Sequence, residues 1–175
     1  VEFKNLAKSL TEGEQYGFAA GTSTNTEFSA DMLLLLMLQN GVPLTNSEGL
    51  INFASNPDSV TALEFLQSFR EEDVWNNEPD NASAEFLKGN VAMIMVPSWR
   101  LREILNYNQS LEIGLDIGVS QVPQLVGSDQ EVYNWATYWA HMVNAGRNNT
   151  IEAWEFLEWL NEPQQLRQLS QQIET

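Results

Sequence analysis

The side chains best placed for chemistry in this chain are aromatic. Trp99, Trp135, Tyr138 and Trp139 fall at or near the ends of stretches that read as β-strands, where the chain turns into loops. Open α/β sheets bind ligands at the carboxyl ends of their strands, so rings at these positions are candidates to line a site. A flat aromatic face suits the apolar C–H face of a sugar ring, while acids and amides fix its hydroxyls. Strand alternation puts Trp135 and Trp139 on one side and Tyr138 on the other, so the three do not all face one cleft. For each Trp, plain packing is the competing assignment. Trp154 and Trp159 fit the core face of a helix instead.

Catalytic patterns are missing. His141 is the single histidine and lies within a predicted strand, so a Ser-His-Asp triad would require it to face a pocket. It reads as a packed or surface residue. There is no G-x-S-x-G elbow, no P-loop and no G-x-G-x-x-G. The absence of cysteine excludes disulfides, thiolate catalysis and Cys-ligated metals. Glu71, Glu72, Asp73, Glu78 and Asp80 cluster but lack calcium-loop spacing, as a solvated loop would. No cofactor or metal is expected. With 24 acids present, paired carboxylates for glycoside hydrolysis stay open, although nothing picks out two of them.

Charge narrows the partners. The excess of 24 acidic over 8 basic side chains gives a formal charge of −16, which disfavours nucleic acid and anionic membrane surfaces. The acidic surface serves solubility. A hydrophobic content of 43% with six Trp indicates a packed domain rather than a disordered chain. The richest apolar stretch, "ADMLLLLMLQNG", is about half of the ~20 residues a membrane span needs. The chain opens inside a helical pattern, so the expectation is a fragment or mature segment of something longer.

These residues need elements to hold them. Phe3, Leu6, Ala7 and Leu10 have the spacing of an amphipathic helix, and "YGFAA" follows as a short strand. A helix is predicted over Ser29 to Gln39, stopped by Asn40-Gly41. Asn56, Pro57 and Asp58 start another, with Val60, Leu63, Phe65, Leu66 and Phe69 as its buried stripe. Ala82 to Lys88 makes a short helix stopped by Gly89, and Val91 to Val96 is a buried strand. Ser98 can cap the helix that bears Leu101, Ile104 and Leu105. "DIGVSQVPQL" and "WATYWAHMV" read as two further strands. Thr150 caps a helix to Leu160, with Ile151, Trp154, Leu157 and Trp159 inward, and a last helix starts at Asn161 and Pro163. The order predicts a helix-rich α/β domain with one core over residues 1–175.

Four stretches carry a family resemblance. "EFLKGNVAMIMVPSW" has a Phe, a Gly, a small apolar pair, a Met-bearing strand, and a small residue before Trp. "FKNLAKSLTEGEQYGFAA", "IGVSQVPQL" and "AWEFLEWLNEPQQLRQ" accompany it in order. Together they resemble the extracellular solute-binding proteins of bacterial ABC importers, the group that includes maltose-binding protein. The resemblance spans nearly the whole chain and implies a helix-rich lobe of the periplasmic-binding-protein-like, type II, two-lobed fold. It corresponds mainly to the C-terminal lobe, without the N-terminal one.

The resemblance further implies a non-catalytic clamp that closes on a solute and delivers it to a membrane permease. A sugar or oligosaccharide is the expected solute, with the protein a monomer, extracytoplasmic and lipid-anchored at full length. By position, Trp99 matches the ring that stacks on ligand in carbohydrate-binding members. Glu27 and Phe28 match a loop that gives polar and aromatic contacts. Trp135 to Trp139 matches a contact segment, with bulky residues in place of the family's glycines. The rival expectations are a carbohydrate-acting enzyme and an extracellular interaction module.

Overall fold

A computed structural model describes residues 2–125, 131–138 and 140–173. The chain divides into two compact units, Val1–Trp135 and Ala136–Thr175.

The first unit is built around a short parallel pair of strands, β1 (Tyr16–Phe18) and β2 (Val91–Met93), in register Tyr16 to Val91 and Phe18 to Met93. Helix α1 (Glu2–Ser9) lies against β1 so closely that residue 17 must be glycine. A Cβ there would sit 1.7 Å from the Ala7 carbonyl oxygen. The Gly17 amide donates instead to the Thr11 hydroxyl, 3.0 Å away.

Helix α2 (Ser29–Gln39) ends where predicted, with Gly41 at φ +77° in the left-handed region that favours glycine. Helix α3 (Pro57–Glu71) starts as its sequence dictates: the Asn56 side chain accepts from the Asp58 amide at 3.0 Å. Helix α4 (Ala82–Leu87) is capped in the same way by Asn81 and precedes β2. Helix α5 (Arg100–Ser110) follows it.

The main core gathers Ala7, Phe18, Ala20, Met32, Leu66, Phe69 and Val74 from α1, β1, α2, α3 and the turn after α3. Its rings meet edge to face, as their quadrupoles favour: Phe3 with Phe18 at 4.9 Å and Phe18 with Phe69 at 5.3 Å. A second cluster packs Ala19, Trp75, Ala82 and Val91.

Several expectations are corrected. The buried face of α3 is Ser59, Ala62, Leu66 and Phe69, while Val60 and Leu63 are exposed. The expected stripe mixed two neighbouring faces of the helix, since both carry apolar residues. β2 ends at Met93, and Ile94, Met95 and Val96 continue as half-buried, unpaired chain. Among the described residues, 116–125 and 135–143 form no strand. β-propensity needs a ladder partner to become a strand, and the described sheet has two strands only. Ser98 is not a cap: Trp99 occupies that position in helical conformation, and backbone bonds to Pro97 and Ser98 form the first turn of α5.

The second unit holds α6 (Thr150–Leu160) and α7 (Pro163–Ile173). Trp154, Trp159 and Ile151 were expected inside, yet all are exposed, and α6 buries no residue. So short a unit has too little chain to cover two apolar helix faces.

Candidate functional site

The candidate site grows from the N-terminus of α2. Phe28 stands at its N-cap position with φ +58°, a left-handed conformation that costs a non-glycine residue about 1–2 kcal/mol. That conformation must be enforced by the loop before it, which is fixed by a buried polar network. The Trp75 indole N–H donates to the Thr22 hydroxyl at 3.0 Å and to Asn25 Oδ1 at 3.2 Å. Asn25 Nδ2 donates to the carbonyls of Asn76 (2.9 Å) and Pro79 (2.8 Å), and its own carbonyl accepts from the Ala82 amide. The Thr22 and Thr26 hydroxyls share a further bond of 2.8 Å. Each buried polar group thereby has a partner, as burial requires.

This frame presents a half-exposed surface. The ring of Trp99 is 61% exposed and meets Phe28 edge to face, with centroids 5.7 Å apart at 84°. The Arg100 guanidinium carbon lies 5.9 Å from the centre of the Trp99 ring, within cation–π range. Arg100 Nη2 donates to Glu27 Oε1 at 3.3 Å, and its Nη1 pairs with Glu103. Ser83, on α4, donates to the other Glu27 oxygen. Three residues along α2 from Phe28, Asp31 accepts the indole N–H of half-buried Trp135 at 2.8 Å. Its charge also complements the helix dipole there.

The arrangement offers an exposed aromatic face beside carboxylates with spare acceptor capacity. It suits a ligand with an apolar face and hydroxyl edges. The sequence profile of one family, described as bacterial extracellular solute-binding protein, matches residues 2–174. The chain belongs to that family. No curated protein and no solved structure matches it.

Within this solute-binding protein, Phe28 touches Trp99, Glu27 pairs with Arg100, and Trp135 is tied to the same end of α2. Tyr138 is 82% exposed and belongs to the second unit. Trp139 lies outside the described residues. His141 is exposed and not in a strand. Sequence reasoning missed Arg100, Asp31 and Ser83, and the Asn25–Trp75 network beneath them. One signal was available for Arg100: a cation directly after an aromatic at the start of a helix.

A concavity of about 510 Å³ lies elsewhere in the first unit, lined by residues of α1, β1, α2 and α3, by Met95 and by 122–125. Gln39 walls it, donating to the Pro123 carbonyl at 3.0 Å and accepting from the Leu125 amide at 3.1 Å. Its lining is mainly Phe, Leu and Met side chains. A hydroxyl-rich solute would lose its hydrogen bonds there, so chemistry favours the Trp99 surface over this hollow. The acidic loop proves structural in part. Glu72 bridges Lys4 and Lys8, each at 2.5 Å, and the two ammonium groups hold its carboxyl below the usual glutamate value.

Proposed function

We propose that this protein binds a carbohydrate without turning it over, for import by a membrane ABC permease. In this reading residues 1–175 are mainly the C-terminal lobe of a two-lobed, type II receptor that is monomeric, extracytoplasmic and lipid-anchored at full length. Membership of a bacterial extracellular solute-binding family supports the coarser part, binding of a solute. The observation that carries the carbohydrate part is the Trp99 ring. It is 61% exposed and meets Phe28 edge to face, with the Arg100 guanidinium 5.9 Å from its centre and Glu27 paired to that guanidinium. A sugar stacks on such a ring and gives its hydroxyls to the carboxylates. Closure of the clamp follows when contacts to both lobes favour the shut state.

The test uses the full-length protein against sugars, polyols and peptides. Thermal shift is followed by titration calorimetry, and each hit is assayed for product. Saturable stabilisation by a sugar without product is expected. Trp99→Ala should weaken that binding by about 1–3 kcal/mol, or roughly 5- to 150-fold, through loss of the stacked area. Product formation overturns the receptor reading. Unchanged affinity in Trp99→Ala removes this surface from the site.

A further inference from the structure

We infer that the Trp99 surface selects by charge: it accepts uncharged sugars and rejects those bearing a carboxylate or phosphate. The inference rests on the carbohydrate reading above and specifies the class of sugar. It comes from the way Arg100 is occupied. An arginine recognises an anion through two parallel N–H groups along one edge of its plane. Arg100 has no such edge to offer. Nη2 is held by Glu27 and Nη1 by Glu103, so the outer edge is divided between two carboxylates. Nε, which would complete the side edge with Nη2, is buried and finds no acceptor among the described residues. The guanidinium is itself mostly enclosed, with 17% of its side chain exposed.

The partners cannot readily step aside. Glu27 is gripped from two sides, by Arg100 and by the Ser83 hydroxyl on a separate helix. Asp31 adds a third carboxylate at the same end of α2, answered by the neutral indole N–H of Trp135. An acidic sugar laid on Trp99 would therefore meet repulsion without a donor edge to offset it. The overall charge of −16 adds a long-range barrier of the same sign. A neutral hydroxyl meets neither obstacle, because the carboxylates accept from it while keeping Arg100.

The experiment compares matched pairs on the full-length protein: neutral gluco-, manno- and xylo-oligosaccharides against counterparts carrying uronate residues. Affinities are read by calorimetry at low and high salt. The uronates should bind at least about 10-fold more weakly at low salt, with the gap narrowing as salt screens the repulsion. Glu103→Gln removes one of the two carboxylates on Arg100 and releases Nη1 without changing Trp99, at a residue whose side chain is 42% exposed. In that variant the gap should shrink by roughly 3- to 10-fold. Uronates that bind as tightly as the neutral sugars, or a gap unmoved by Glu103→Gln, overturn the inference. Binding of uronates alone overturns the charge rule and leaves the carbohydrate reading standing. Binding of neither class removes both.

Discussion

The loop entering α2 has two halves that differ in kind. In residues 22–26, Thr22, Asn25 and Thr26 are buried, and their side chains are engaged with one another or with the 75–82 segment. Residues 27 and 28 are half-exposed, and their partners Trp99 and Arg100 are shared with solvent-facing surface. The first half is finished internally. The second keeps spare capacity, an exposed aromatic face and carboxylate lone pairs, which a ligand can use. A binding surface needs both, because an adaptable contact is specific only when a rigid frame holds it in place.

The widest separation between the halves should appear in their tryptophans. Trp75 is fully buried, and its N–H joins the Thr22 and Asn25 side chains. Trp75→Ala leaves a large cavity and unpaired polar groups, so it should cost about 3–5 kcal/mol of folding stability. Trp99→Ala should stay within about 0.5 kcal/mol, as exposed substitutions do. Chemical denaturation of both variants checks this. Comparable losses would mean that Trp99 belongs to the frame.

A smaller change isolates the hydrogen bonds. Asn25→Ala removes donors to two carbonyls and an acceptor for Trp75, at an expected cost of about 1–3 kcal/mol. Because it releases the loop that holds Phe28 left-handed, solute affinity should fall as well, although Asn25 itself is buried. Amide exchange over residues 22–28 should quicken in parallel. A stability loss with unchanged affinity would separate the frame from the site.

How legible these regions were depends on where their causes lie. Helix α2 was readable to the residue, because its start follows a polar loop and its stop is the local Asn40-Gly41 signal. The Asn56 cap and the Gly89 stop were equally local. The segments 116–125 and 135–143 misled because a strand is a property of two segments, and propensity reports on one. Trp154 misled for a related reason: helical spacing marks an apolar face without naming what covers it. At the site, Trp99 was visible from its position after a strand and a turn. Trp75 was not, since it lies in an acidic loop and its partners are about fifty residues away. Arg100 and Glu27 likewise meet across 73 positions of sequence.

The smallest expected effect concerns acid, and it acts on the frame far from Trp99. Lys4 and Lys8 hold the Glu72 carboxyl below its usual value of 4.5, joining α1 to the end of α3. Lys88 first, and Asn90 second, do the same for Glu85. A carboxyl depressed in the folded state binds fewer protons there than in the unfolded chain. Its contribution is therefore present above about pH 4.5 and fades as pH falls through the folded value. The ion pair at Glu72 is open to solvent, so its share is modest and screened by salt. Glu72→Gln should accordingly flatten the decline in melting temperature on acidification below about pH 4.5 at low salt. It should do so without altering sugar affinity at neutral pH, since the substitution is remote from Phe28 and Arg100. An acid profile identical to that of the unmodified protein would show that the two lysines contribute nothing to the frame. A changed affinity would show that the docking of α1 reaches the binding surface, and the division between frame and site would then have to be redrawn.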